Sequence, residues 1–295
     1  MKAMILAAGL GTRLRPLTDD RPKALVELGG RTLLEITLSR LRTFGVNEVI
    51  INVHHFADMV VDYLKSKNNF GLRIEISRED DLLLDTGGGL KKAAWFFAEH
   101  GRSPVAQGGV REALRPSPPQ HYAMPGAVSG ALRPSVTQRD STPNGEPFLL
   151  HNVDVLSTID LRRTLQFHKE NHALATLAVQ SRESSRPLLF NDQLQLCGRR
   201  INNQDSLVSS NSPLATSHSP LLHPLAFSGM HVISPRLLPM ITEEGVFSII
   251  PTYLRLAAHG EKILAFRADQ FYWRDLGKPA DLQQAALDVQ QGVLS

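Results

Sequence analysis

The sequence predicts an α/β fold built on a mostly parallel sheet, and three observations carry that prediction. Short apolar runs alternate with amphipathic stretches of helical period over residues 1–100 and again from 148 onward. The runs do not alternate apolar with polar: Val49-Ile50-Ile51-Asn52-Val53 is apolar on both faces but for one residue, as in a parallel strand covered by helices on each side. The connections are short, as at Gly45-Val46-Asn47 and Phe70-Gly71, which fits right-handed strand–helix–strand units.

In chain order, residues 3–8 read as a strand, 33–44 as a helix, 48–53 as a strand, 57–65 as a helix and 72–77 as a strand. The tract 101–147 breaks this pattern, with eight of the eighteen prolines, six of the 21 glycines and little periodic apolar content. Such a tract cannot bury enough apolar surface to offset its ordering entropy, so it reads as a flexible insertion, with a lid or partner-binding segment as the alternative. The pattern resumes with a strand over 148–155, a helix over 159–170 and a strand over 173–180. Residues 203–224, rich in Ser and Pro, read as a loop; strands over 226–233 and 262–267 and helices over 249–259 and 279–291 follow. One domain spanning 1–295, interrupted at 101–147 and 203–224, accounts for the chain, and no internal repeat is visible.

A length of 295 residues with 42% hydrophobic content allows a substantial core and excludes wholesale disorder and fibrous repeats. The net charge is +3, but the 101–147 tract alone carries five arginines against three acids, so the patterned remainder is nearly neutral and lacks a nucleic-acid signature. The lone Cys197 has no disulfide partner and no Cys/His neighbours of a zinc site. The eleven histidines, His54, His55 and His151 among them, show no metal-ligand spacing. Met1-Lys2 and the apolar run to Leu10 superficially resemble a signal peptide, but Arg13 and Arg15 follow with no small-residue cleavage site. No run approaches the roughly 18 apolar residues of a membrane span, so a cytoplasmic protein with no membrane partner is expected.

The chemistry concentrates in Leu6-Ala7-Ala8-Gly9-Leu10-Gly11-Thr12-Arg13-Leu14-Arg15-Pro16-Leu17-Thr18, followed by Pro22-Lys23. A buried strand ending in small residues lets backbone N–H groups approach a phosphate or a base edge, and Arg13 and Lys23 supply the cations a polyphosphate needs. A P-loop is excluded because no Gly-Lys-Ser/Thr follows a glycine at the required spacing. The dinucleotide fingerprint is excluded because Leu14 stands where its third glycine belongs, and Pro16 would disturb the helix that must follow.

This stretch, G-x-G-T-R-L-x-P-L-T followed by P-K, resembles the signature of the sugar-1-phosphate nucleotidylyltransferases, or nucleotide-sugar pyrophosphorylases. Thr86-Gly87-Gly88-Gly89 resembles the family's second nucleotide loop, Asn152-Val153-Asp154 its metal-binding turn, Phe227-Ser228-Gly229 its sugar-pocket strand, and Trp273 to Pro279 its closing W-x-D-x-G-x-P motif. The resemblance implies a Rossmann-like three-layer nucleotidyltransferase fold with a mostly parallel mixed central sheet. It implies attack of a sugar 1-phosphate on the α-phosphorus of an NTP, with UTP or GTP favoured because the short relatives use them. Arg13 and Lys23 are then the catalytic cations, Mg²⁺ is the cofactor held by Asp154 and Asp275, and Ala8, Gly9, Gly11, Thr12, Thr86, Gly87, Gly88 and Asn152 contact the nucleotide.

The sequence departs from the family in two places. Where larger members carry Glu-Lys-Pro with a sugar-phosphate lysine, this chain reads Ser181-Arg182-Glu183-Ser184-Ser185-Arg186-Pro187, leaving Arg182 or Arg186 as substitutes, with Gly229 admitting the sugar. Val153 stands where the metal turn often has Gly or Ala. Two other functions stay open at this stage: a catalytically silent nucleotide-sugar-binding regulatory subunit, and a cytidylyltransferase for a non-sugar phosphate such as phosphocholine.

Overall fold

The structure is a computed structural model and describes residues 1–98, 145–208 and 221–293. Strand β1 (Lys2–Leu6) starts the chain; the small pair β2 (Glu27–Leu28) and β3 (Arg31–Thr32) precedes helix α1 (Leu33–Thr43). Then come β4 (Glu48–Val53), α2 (Ala57–Ser66), β5 (Arg73–Arg78), α3 (Asp85–Lys92), β6 (Phe148–Asn152), β7 (Val155–Ser157), α4 (Leu161–Glu170) and β8 (Ala175–Gln180). The remainder is β9 (Leu188–Phe190), β10 (Leu196–Ile201), β11 (Gln204–Leu207), β12 (His223–Ile233), α5 (Ile249–Ala258), β13 (Ile263–Arg267), β14 (Trp273–Asp275) and α6 (Pro279–Gln290).

Ten strands form one mixed sheet in the order β11-β10-β9-β12-β6-β1-β4-β5, with β8 joining β12 and β13. The pairs β6–β1, β1–β4, β4–β5 and β8–β13 are parallel, as expected, and β12 runs antiparallel between β6 and β8. The period of two in the strands divides the core. Ala3, Ile5, Val49, Ile51 and Leu149 face one layer with Leu34, Leu38, Val60 and Leu161 of α1, α2 and α4. Met4, Ile50 and Leu150 face the other, with Leu90, Tyr253 and Leu256 of α3 and α5. Helix starts follow capping chemistry: the Thr32 hydroxyl accepts from Glu35 N at 3.1 Å, and the Asp160 carboxylate accepts from Arg162 N and Arg163 N.

Three differences from the sequence reading have physical causes. The strand expected over 148–155 stops at Asn152, because Val153 and Asp154 turn and Val153 N donates to Leu6 O at 3.1 Å, tying the turn to the end of β1. The loop expected over 203–224 holds β11 and the start of β12. Asn202 and Asn203, both at positive φ, form the tight turn that pairs Ile201 with Gln204 in a hairpin. The Thr86-Gly87-Gly88-Gly89 loop is the first half of α3. The rest of the 203–224 loop, residues 209–220, and the 101–147 insertion up to residue 144 lie outside the described residues.

Three described histidines, His151, His168 and His231, are built into the core, and burial holds each neutral. Ser234 Oγ gives its proton to Ala173 O, so it accepts from His168 Nε2 at 3.0 Å, and Thr176 Oγ1 donates to His168 Nδ1 at 2.9 Å. Burial, aided by Lys169, pushes His168 down to about 4. His231, with Nδ1 2.9 Å from the Tyr253 hydroxyl, is pushed to about 3 by burial and by His151. Each stays neutral in the fold and takes up a proton on unfolding below about pH 6.5, so the stability it contributes is complete above that pH and is lost as pH falls toward 4. Denaturant unfolding at pH 5.0 is expected to cost about 2 kcal/mol per buried histidine relative to pH 7.5, with a shallower pH dependence in His168→Gln. Equal midpoints at the two pH values would contradict this.

Candidate functional site

The C-terminal ends of β1, β4 and β6 open onto a cavity of about 500 Å³. Its floor is the glycine loop. Gly11 adopts φ +65°, and a Cβ there would lie 2.9 Å from Thr18 Cγ2 and 3.2 Å from Lys23 Cβ, so only glycine lets Lys23 pass beneath the loop. The Thr18 hydroxyl donates to Gly11 O at 2.9 Å and Leu14 N to the same oxygen at 2.8 Å, closing the turn that presents Thr12 and Arg13.

A buried chain of hydrogen bonds fixes this loop against its neighbour. Ala7 N donates to Asn52 Oδ1 at 2.8 Å, Asn52 Nδ2 to Glu79 Oε1 at 2.7 Å, and Leu84 N to Glu79 Oε2 at 2.9 Å. Asn52 and Glu79 are both nearly inaccessible. Gly89 of α3 packs directly on the pair: a Cβ there would sit 2.9 Å from both Asn52 Nδ2 and Glu79 Oε1. The ends of β1, β4 and β5 and the start of α3 therefore share one polar hub.

Charge gathers on the far wall. Lys23, in the 3-10 turn after Pro22, is buried, and its Nζ donates to Asp154 Oδ2 in a largely shielded ion pair. Asp154 stands in the turn after β6, and β7 leaves that turn to pair antiparallel with β14. The register sets Asp275 opposite Val155, next to Asp154, and Leu276 N donates to Asp154 O at 2.8 Å. The two carboxylates come close enough to affect each other. Burial and then the Asp154 charge push the Asp275 carboxyl above its ordinary value, while Lys23, the Gly277 N–H and Arg13 pull it down. Gly277 is the spacer: its N–H donates to Asp275 Oδ1 at 2.7 Å, and a Cβ would lie 2.6 Å from that oxygen and 2.8 Å from Arg13 Nη2.

Most residues named from the sequence meet here: Ala8, Gly9, Gly11, Thr12, Arg13, Lys23, Thr86, Asn152 and Asp154 line the cavity, with Asp275 behind Gly277. Others do not line it. Gly87 and Gly88 are buried, and both N–H groups donate to Phe247 O, at 2.9 and 3.2 Å. Gly229, at φ +72° in a bulge of β12, sits beneath Asn152, where a Cβ would meet Asn152 Nδ2 at 2.9 Å. Arg186 is on an exposed loop, its N–H bonded to Ser184 Oγ. Arg182 instead stacks on Trp273, 3.6 Å from the ring centroid, and donates to Phe227 O at 2.7 Å, while Trp273 Nε1 donates to Ser228 O. The cavity also takes in Asn52, Leu83 and Val246, which no motif flagged. A polar Asn at the end of an apolar strand was the one available signal for the first.

Among the described residues no group of three or more His, Cys, Asp or Glu side chains is placed to hold a metal. Asp154 and Asp275 are an all-oxygen pair, one carboxyl raised by the other. That fits a hard divalent cation completed by waters and phosphate oxygens.

Residues 2–107 match the model of the nucleotidyl transferase family. Over 99 residues, 33% of this chain, the sequence is 52% identical to the N-acetylmuramate alpha-1-phosphate uridylyltransferase of Caulobacter vibrioides. Over 285 residues, 95% of this chain, it is 26% identical to the mannose-1-phosphate guanylyltransferase catalytic subunit beta of Xenopus tropicalis. The matches span 41% and 62% of those proteins' own lengths. HddC from Yersinia pseudotuberculosis, solved in complex with GMP-PN, superposes with a TM-score of 0.63 at 17% identity, covering 98% of this chain and 99% of that one. The family resemblance drawn from the glycine-loop signature and the fold class are both borne out.

Glu79 holds two buried donors without a cationic partner among its hydrogen bonds. In Glu79→Gln one of those donors faces an amide NH2, and urea unfolding is expected to show a loss of about 1–3 kcal/mol. An unchanged midpoint would remove the hub from the account.

Proposed function

We propose that the protein transfers a nucleoside monophosphate from an NTP to a sugar 1-phosphate, releasing pyrophosphate. One observation carries the reading: the glycine loop, Arg13, Lys23 and the neighbouring Asp154 and Asp275 carboxyls converge on a single cavity at the ends of parallel strands. An acceptor phosphate oxygen forms the new bond to the α-phosphorus. The α-phosphorus bond to the bridging oxygen breaks, and its electron pair leaves with pyrophosphate. No covalent enzyme intermediate is required, so the task of the chain is to position two anions and offset their repulsion.

In this reading Arg13, with its planar fork of donors, holds the β- and γ-phosphates. Lys23, a buried point charge already engaged by Asp154, bridges that carboxylate and the α-phosphate or the incoming phosphate. Asp154 and Asp275 would hold Mg²⁺, which when bound neutralises charge on the phosphate oxygens. The Ala8, Gly9 and Gly11 backbone and Thr12 approach the phosphates, and Asn152 lies beside the ribose. Of the two sugar-phosphate candidates, Arg182 is better supported than Arg186, because it stacks on Trp273 in the strand that carries Asp275. The names of the relatives, one a uridylyltransferase and one a guanylyltransferase, support UTP or GTP as donor. No helix among the described residues is long and apolar enough to cross a membrane, which agrees with a reaction drawing on cytoplasmic NTP.

The test mixes the protein with Mg²⁺, each of the four NTPs, and a panel of hexose 1-phosphates, N-acetylmuramate 1-phosphate and phosphocholine. Pyrophosphate is expected in equal amount to a nucleotide-sugar product, with UTP or GTP preferred. Lys23→Ala is expected to lower the rate about 100-fold or more. NTP binding without turnover on any acceptor would replace the reading with a silent binding subunit, and turnover on phosphocholine alone would replace the acceptor class.

A further inference from the structure

The glycines after Thr86 serve a segment far away in sequence. Phe247 N donates to Leu84 O at 3.2 Å, Phe247 O accepts from Gly87 and Gly88, and Ile249 N donates to Thr86 Oγ1 at 3.0 Å. Lys91 Nζ adds bonds to Glu243 O at 2.7 Å and Glu244 Oε1 at 2.6 Å. Cβ atoms at Gly87 and Gly88 would fall 2.4 Å from the Phe247 ring and 2.5 Å from Gly245 O. Helix α3 therefore lacks side chains at these positions so that residues 243–249 can lie against it, and the N–H groups of both glycines are already used there.

What this segment delivers to the cavity is Val246. Val246 is 55% exposed, although the next residue, Phe247, is tied down by backbone hydrogen bonds, and it lines the same cavity as Leu10, itself 45% exposed, and Leu83. The same cavity holds the glycine-loop backbone, Arg13 and Lys23, whose donors and charge suit phosphates. A nucleotide has anionic oxygens at one end and a flat heterocycle with apolar faces at the other, and exposed aliphatic groups beside an anion site complement the second end.

We infer that Val246, with Leu10 and Leu83, forms the contact for the nucleobase ring, and that Val246 is an affinity- and specificity-determining residue of the nucleotide site. The inference rests on the nucleotide reading proposed above. It adds an apolar contact to the site from a segment outside the matched residues 2–107.

The experiment compares two probes on the full chain in magnesium buffer, the preferred NTP and inorganic tripolyphosphate, by calorimetric titration of wild type and Val246→Ala. Tripolyphosphate has the charge and no ring. Loss of two methyl groups from the ring contact is expected to weaken NTP binding about fivefold, with tripolyphosphate binding unchanged. Equal weakening of both probes would show that Val246 acts through loop architecture, and no change in either would show that it does not touch the ring. Either of these results overturns the inference. A wild-type protein that binds neither probe overturns the nucleotide reading itself, which separates the two failures.

Discussion

Much of the site depends on one shielded ion pair, Lys23 with Asp154, set beside a second carboxylate. A buried cation is costly without a partner, and two neighbouring carboxylates repel unless positive charge lies between or beside them. Asp154 meets the first demand and Lys23 only part of the second, since burial and then the Asp154 charge hold Asp275 above its ordinary value. The arrangement is therefore electrostatically incomplete in a direction that favours further positive charge beside the carboxylates and anions beside Lys23 and Arg13. In the proposed function a metal–triphosphate supplies both.

The fold is organised to hold that imbalance in place. Parallel strands bring β1, β4 and β6 to a common end, where the glycine loop and the Asp154 turn meet. The β7–β14 ribbon returns the C-terminal Asp275 to the same point, and Gly277 leaves room for Arg13. On the opposite side the Asn52–Glu79 hub fixes the distance between the glycine loop and α3. None of these groups can move far without leaving a buried polar atom unpaired, so the cavity is largely pre-formed.

Local pattern made much of this legible. The apolar run over 48–53 named a parallel strand with the bounds observed, and the spacing of Gly9, Gly11, Arg13 and Lys23 marked residues that line the cavity. What stayed hidden was set by contacts between distant residues. Gly87 and Gly88 read as a ligand loop through the family resemblance, and nothing local says that the group packed against them is Phe247. Val246 carries no motif, and its importance follows only from being held at the cavity. The β10–β11 hairpin was masked by the polar composition of a tract whose Asn202-Asn203 turn was its one clue. Arg182 and Arg186 could not be separated by sequence, because only Trp273, some ninety residues later, distinguishes them.

The central claim is that Asp154 and Asp275 complete a metal–triphosphate site. Its most direct measurement is calorimetric titration of an NTP into wild type and into Asp154→Asn, each with Mg²⁺ and with EDTA. The account predicts that wild type binds the NTP more tightly with Mg²⁺ than with EDTA and that Asp154→Asn loses this difference while remaining folded. Equal dependence on Mg²⁺ in the two proteins would contradict it.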